Sequence, residues 1–149
     1  MIFQRISSRS NDKVKEVLSL HDKKGRDAEG LFFTEGEKIL TEALSVSRRP
    51  KRVFVTERFL SSHPYIEEGL EGAEGYLVTD EVYSRMSDER SPEGILAVFQ
   101  KEEPVVSDLK SSLFILEGIQ DPGNMGTLLR SALAFGMRCV IAVGCADIY

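Results

Sequence analysis

LEGIQDPGNMGTLLRSALAFG, residues 116–136, joins the end of an apolar run to a polar loop punctuated by Pro and Gly, and then to a stretch with helical apolar spacing. Leu113, Phe114, Ile115 and Leu116 read as a buried strand, and Cys139–Val143 as another. Between them Leu128, Leu129, Ala132 and Leu133 predict the buried stripe of a helix over residues 126–135, with Gly136 its stop. Strand, helix and strand in this order make a βαβ unit. Ligands in open α/β sheets bind where a strand hands over to a helix, so residues 120–126 are the first place to look for chemistry.

Outward from this unit the alternation continues toward the N-terminus. Residues 11–22 predict a helix with Val14, Val17 and Leu18 on one face and Asn11 as N-cap. Gly25 reads as its stop, which leaves Lys23, Lys24 and Arg26 clustered beyond its end. Leu31, Phe32 and Phe33 are extended, and Thr34-Glu35-Gly36-Glu37 matches a capping box. The helix it opens carries Ile39, Leu40, Ala43, Leu44 and Val46 inward. Val53, Phe54 and Val55 form a strand, Phe59, Ile66 and Leu70 a helix interrupted at Pro64, and Tyr76, Leu77 and Val78 a further strand. Thr79 or Asp80 caps a short helix through Val82, Tyr83 and Met86, and Ile95 to Phe99 close the series as a strand. The fold class is therefore α/β. KEEPVVSDLKSS, residues 101–112, breaks the rhythm with charge, Pro104 and small polar residues, which divides the chain into domains 1–102 and 103–149.

The 149 residues are 42% hydrophobic and 29% charged, the composition of a globular chain. MIFQRISSRS has no signal-peptide core and no apolar run reaches membrane-spanning length, which makes the cytoplasm the expected location and excludes a membrane partner. Cys139 and Cys145 lack the spacing of a redox pair or zinc knuckle and are expected to be buried, reduced thiols. His21 and His63 stand apart without a ligand-spaced partner, so surface or capping roles are expected and no metal site. The net charge of −5 hides a gradient: residues 1–26 hold seven basic and three acidic side chains, the remainder twelve and twenty-one. A basic arm on an acidic body orients a polyanion; the same pattern also suits a solvated, solubilising helix.

Read without any family, the loop has a turn at Pro122, close backbone approach at Gly123 and Gly126, and a donor-acceptor side chain in Asn124. Arg130 interrupts the apolar stripe about one turn into the helix and reaches toward the same rim. Two readings stay open on spacing alone: Asn124 and Arg130 hold a phosphate or ribose, or Asn124 caps the helix and Arg130 decorates its surface. Neither GxxxxGK[ST] nor GxGxxG occurs, which excludes a P-loop and the usual dinucleotide fingerprint.

Asp121-Pro122-Gly123-Asn124-x-Gly126 followed by Arg130-Ser131-Ala132-x-Ala134-Phe135-Gly136 closely resembles the first motif of the SpoU-type (TrmH-like) RNA ribose methyltransferases of the SPOUT class. Ile6-Ser7-Ser8-x-x-Asn11 with Val14-Lys15, then Arg26, Phe32, Glu35-Gly36 and Ala43, resembles the substrate-binding domain appended to many members. Ser87 and Ser91-Pro92-Glu93-Gly94-Ile95 resemble that domain's exit, with Glu93 where glutamine is common. The resemblance covers nearly the whole chain. It implies a ribosomal-protein-like RNA-binding α/β domain, followed by the start of a parallel, knotted catalytic domain that works as a homodimer.

It also implies transfer of a methyl group from S-adenosylmethionine to a ribose 2′-hydroxyl of rRNA or tRNA, with Arg130 and Asn124 at the catalytic centre. The resemblance implies that Arg130 activates the hydroxyl; because a guanidinium stays protonated under nearly all conditions, the alternatives are that it orients the ribose and stabilises its developing alkoxide, or relays the proton through a phosphate. The RNA would be drawn by Asn11, Lys13, Lys15, Lys23, Lys24 and Arg26. The family's second and third motifs, with the knot and most of the cofactor pocket, are expected beyond Tyr149. Two other classes stay in view: a non-catalytic RNA-binding module confined to residues 1–102, and an enzyme acting on a small phosphorylated metabolite. The 149-residue chain is expected to transfer no methyl group to RNA, whereas a version with a complete catalytic domain does; stoichiometric S-adenosylmethionine binding by the short chain in calorimetry would contradict this.

Overall fold

The computed structural model describes residues 2–102, 112–137 and 139–149. Of the segment that breaks the sequence rhythm, residues 103–111 lie outside the described residues. The chain forms two compact units, Met1–Lys101 and Glu102–Tyr149.

In the first unit the strands are β1 (Phe3–Ile6), β2 (Leu31–Glu35), β3 (Arg52–Thr56), β4 (Glu74–Val78) and β5 (Ile95–Gln100). The helices are α1 (Asp12–Ser19), α2 (Lys23–Glu29), α3 (Glu37–Ser45), α4 (Glu57–Ser62) and α5 (Asp80–Met86), with a 3-10 turn over Pro64–Gly69. The sheet order is β1-β4-β3-β5-β2. β1, β4 and β3 are parallel, while β5 runs antiparallel to both β3 and β2. α5 has seven residues, about 10 Å of rise. The loop after it turns back to the rim from which α5 left, so Ile95 pairs with Val55.

Both faces of this sheet are covered. Phe54, Leu96 and Val98 face Val14, Val17, Val82 and Met86 from α1 and α5. Val53, Val55, Ile95 and Ala97 face Leu40, Phe59, Ile66 and Leu70 from the other side. Strands buried on both faces read as continuous apolar runs, which is why β3 and β5 stand out in the sequence.

The structure corrects several expectations. Residues 11–29 form two helices, and Gly25 lies inside the second; the Asp22 carboxylate accepts from the Gly25 amide at 2.8 Å and starts α2. A Cβ on Gly25 would sit 1.7 Å from the Ser19 carbonyl oxygen, so the glycine serves a close approach, and Gly30 is the left-handed stop at φ 64°. Lys23, Lys24 and Arg26 thus lie beyond the end of α1, as expected, but on a second helix. The capping box fails because β2 continues through it: Thr34 pairs with Ala97 and Glu35 with Leu96. Gly36 is the cap residue, and the first α3 amide is satisfied by the Glu93 carboxylate at 2.8 Å. Ile39 and Val46 are exposed because α3 buries only the stripe through Leu40, flanked by Ala43 and Leu44.

His21 and His63 are both engaged. The His21 ring nitrogens meet the Asp88 carboxylate at 2.8 Å and the Met86 carbonyl at 2.9 Å, joining the end of α1 to the end of α5. Among the described residues no group of His, Cys, Asp and Glu is arranged to hold a metal ion, and no helix is long and apolar enough to cross a membrane.

The second unit contains β6 (Leu113–Glu117), α6 (Pro122–Ala134) and β7 (Cys139–Val143), with β6 and β7 parallel. α6 starts four residues earlier than its apolar pattern indicates, because Asp121 caps it and Pro122 occupies its first turn. Met125 and Ala132 are buried; Leu128 and Leu129 are half-buried and Leu133 is exposed, since a two-stranded sheet covers only a narrow stripe of the helix. Cys139 and Cys145 are free thiols but half-buried, not fully enclosed.

Gly94 couples the two central strands of the first unit. Its φ is 102°, and a Cβ there would lie 2.4 Å from the Thr56 hydroxyl oxygen. Gly94→Ala is expected to lower unfolding stability by roughly 2–4 kcal/mol, from backbone strain plus overpacking, read as a lower urea midpoint.

Candidate functional site

The loop between β6 and α6 is stitched to the end of β7. The Gly118 amide donates to the Val143 carbonyl at 2.9 Å, the Gln120 side-chain amide to Gly144 at 2.6 Å, and the Ala146 amide to Ile119 at 2.7 Å. Gly118 takes φ 67°, a left-handed turn that opens the strand into the loop. The Asp121 carboxylate then accepts from the Asn124 amide at 2.7 Å. Asp121 is the cap, so Asn124 is the third residue of α6 and its carboxamide is released from capping. Among the described residues that carboxamide forms no hydrogen bond, and Asn124 lines an open hollow of about 420 Å³ with Gly118, Gln120, Asp121 and Thr127.

Arg130 folds back toward the start of α6, the direction in which helical side chains lean. Its Nη1 would be 3.4 Å from a Cβ on Gly126, and its Nη2 donates to the Thr127 hydroxyl at 3.3 Å. Thr127 in turn donates to the Gly123 carbonyl at 2.9 Å. Asn124 and Arg130, six positions apart, lie about 120° apart around the helix and do not touch. Thr127 links them: it lines the hollow beside Asn124 and holds the guanidinium of Arg130. Sequence reasoning missed this residue, although it stands three positions from each of the other two. Among the described residues Arg130 has no carboxylate partner.

The donor set of this loop suits a sugar hydroxyl or a phosphate. Asn124 offers a carboxamide, Thr127 a hydroxyl and Arg130 a fixed fork of N–H groups. The loop does not by itself fit S-adenosylmethionine: the hollow is open, and no aromatic ring lines it to sandwich an adenine.

The six residues expected to meet RNA in the first unit have different surroundings. The Asn11 carboxamide accepts from the Lys13 amide at 2.8 Å and caps α1. Lys13 lies 3.9 Å from Glu16 and 3.8 Å from Glu74, and Lys15 is 2.9 Å from Asp12. Arg26 donates to the Leu20 and His21 carbonyls at 2.9 and 3.0 Å, bridging α1 and α2. Lys23 and Lys24 are exposed on the first turn of α2. Glu74 anchors a further cluster: the Tyr76 hydroxyl donates to it at 2.5 Å, and Arg52 lies 3.3 Å away. The tyrosine's hydrogen bond, helped by Arg52 and Lys13, holds the Glu74 carboxyl below the usual range, while burial and Glu74 push the Tyr76 hydroxyl up to about 12.

Residues 11–97 match the MRM3-like substrate binding domain. The chain belongs to this family, among the SpoU-type methyltransferases. It is 32% identical, over 98% of its length, to the 23S rRNA (guanosine(2553)-2'-O)-methyltransferase RlmP of Bacillus subtilis, of which it covers 57%. The AdoMet-bound rRNA methyltransferase of Sinorhizobium meliloti superposes with a TM-score of 0.79 at 25% identity, over 97% of this chain and 56% of that one. The SpoU methyltransferase AviRb of Streptomyces viridochromogenes, at 16% identity and a TM-score of 0.75 over 93% of this chain and 54% of its own, shares the fold. The chain thus spans a little over half the length of these relatives. The α/β architecture is that of the SPOUT methyltransferases.

The depressed value of Glu74 has a consequence for acid stability. A carboxyl lowered in the folded state stabilises fully above its ordinary value of 4.5 and loses that contribution as pH falls below it. Glu74→Gln is expected to be less stable than the parent near neutral pH and to converge with it below about pH 4, checked by denaturation midpoints across that range.

Proposed function

We propose that the protein to which this chain belongs methylates a ribose 2′-hydroxyl in rRNA or tRNA with S-adenosylmethionine as donor. Residues 103–149 are the first part of the catalytic domain and residues 1–102 the RNA substrate-binding domain. The single observation that carries this reading is the guanidinium of Arg130, held over Gly126 by Thr127 beside the hollow that Asn124 lines. The 2′-O-methylation of 23S rRNA by the RlmP relative and the bound AdoMet of the S. meliloti relative support the substrate and donor. A homodimer and a cytoplasmic location accompany the reading.

A ribose hydroxyl is a weak nucleophile that acquires negative charge as its proton leaves. Arg130 cannot serve as the base, because a guanidinium does not give up its proton at ordinary pH. Its role is to donate N–H bonds to the developing alkoxide, which strengthen as charge builds, while the proton passes to a phosphate oxygen of the RNA. Asn124 orients the sugar from the same hollow, and Thr127 keeps Arg130 from swinging into solvent. S-adenosylmethionine supplies the electrophilic methyl group from residues other than this loop.

The test uses protein with a complete catalytic domain. Arg130→Ala is expected to cut methyl incorporation into RNA by about 100-fold or more, with RNA affinity changed less than about twofold. Reversal of Lys23 and Lys24 to Glu is expected to weaken RNA binding and flatten its salt dependence. Undiminished methylation by Arg130→Ala would remove Arg130 from the mechanism; RNA affinity lost with it would reassign it to binding.

A further inference from the structure

At the rim where β3 ends, the start of α3, the helix α4 and residues 91–93 line an open hollow of about 670 Å³. Its walls are fixed from both sides. The Glu35 carboxylate, at the end of β2, accepts from the Ser87 hydroxyl at 2.5 Å and the Asp88 amide at 2.9 Å. Glu93 returns the tie by accepting from the Glu37 amide. These are the Glu35-Gly36 and Ser91-Pro92-Glu93-Gly94 motifs, which the methyl-transfer reading leaves unused. Ser91, Pro92 and Glu93 line the hollow, while Glu35 ties down the loop that carries them.

Two groups of the lining, Arg58 and His63, and one beside it, Tyr65, which touches His63 and Glu37, give the hollow its chemistry. Arg58 is exposed at its mouth, and its Nη2 donates to the Pro92 carbonyl at 3.2 Å. Among the described residues Arg58 pairs with no carboxylate, although its neighbour Glu57 pairs with Arg5. His63 lies in the wall, its ring stacked on Phe59 at a centroid distance of 4.2 Å and an angle of 10°. Tyr65 stands edge-on to His63 at 5.8 Å, with its hydroxyl donating to Glu37. Tyr65 is nonetheless 54% exposed, a large ring tethered at its tip with a face left to solvent.

An unmatched guanidinium, an exposed ring on a rigid mount and carboxylate acceptors recognise different parts of a nucleotide. The guanidinium takes the phosphate through paired N–H bonds. The ring takes the face of a base that is not already stacked in a helix. Glu37 and Glu93 already hold donors of their own, so a base's N–H edge meets them more readily than a phosphate does. A duplex would keep its bases out of reach of Tyr65, and an acidic peptide would meet the two carboxylates.

We propose that this hollow holds one unpaired nucleotide of the RNA, its phosphate on Arg58 and its base against Tyr65 and His63. The inference rests on the reading of residues 1–102 as an RNA-binding domain, and names the part of that domain that takes the strand.

The test is fluorescence anisotropy with the 149-residue chain and a labelled single-stranded RNA of mixed sequence, alone or annealed to its complement. The single strand is expected to bind more tightly than the duplex. Arg58→Ala and Tyr65→Ser are each expected to weaken it about tenfold, with Tyr65→Phe within about twofold of the parent. Arg58→Ala is also expected to reduce the salt slope by about 0.7. Both side chains are exposed, so unchanged urea midpoints separate lost contacts from lost folding. Equal affinity for duplex and single strand overturns the proposal. So does undiminished binding by Arg58→Ala and Tyr65→Ser when reversal of Lys23 and Lys24 weakens it, an outcome that leaves the RNA-binding reading standing. No RNA binding by the chain at all overturns both.

Discussion

The burial of β3 on both faces is the constraint from which the first unit follows. Val53, Phe54 and Val55 are fully enclosed, and Thr56 is only 2% exposed. A strand so placed needs helices above and below the sheet, and neighbours on both edges to satisfy its backbone. β4 supplies one edge in parallel and β5 the other in antiparallel. Thr56 joins the two demands: its amide donates to the Gly94 carbonyl at 2.9 Å while its hydroxyl accepts from the Phe59 amide at 3.2 Å. One residue thereby ends the strand, starts α4 and anchors the turn into β5. The rim that results is where Arg58, His63 and residues 91–93 meet.

The second unit rests on a smaller device of the same kind. Asp121 satisfies an orphan amide at the start of α6, which frees Asn124 from that duty. Thr127, by bonding the Gly123 carbonyl, aims its oxygen so that it can accept from Arg130. The Asn124 side chain is left available because a neighbouring residue takes over the capping hydrogen bond. The first unit shows the converse: Asn11 and Arg26 spend their polar groups on the backbone, whereas Lys23 and Lys24 do not.

The two units differ in chemistry. Residues 1–26 carry net positive charge, of the kind that attracts a polyanion without sequence information, and the remainder of the chain is acidic. The proposed ribose chemistry needs a different arrangement, a small number of donors fixed where charge develops. In α6 helical leaning brings Arg130 back over Gly126 and toward the loop, the placement that proposed role requires.

Alternation of apolar runs and helical stripes was enough to read the α/β class, the βαβ unit and the strand-to-helix junction near Asn124 and Arg130, since those patterns depend only on the periods of strand and helix. Local hydrogen bonding misled the reading where a distant partner competed for the same atoms. Thr34 spells a cap, yet pairing with Ala97 holds it in a strand and hands the α3 amide to Glu93, 56 residues away. Gly25 spells a stop, yet contact with the Ser19 carbonyl places it inside a helix. The bond from Arg130 to Thr127 follows a three-residue helical spacing that was overlooked, whereas the hollow around Arg58 has no local signature at all. What the sequence by itself determined was the order and type of most elements, because these follow from neighbours three or four positions apart; β1, α2 and the exposure of Ile39, Val46 and Leu133 escaped it. Only the tertiary structure decided which polar groups remain free to act, because that depends on which others have already found a partner from far along the chain.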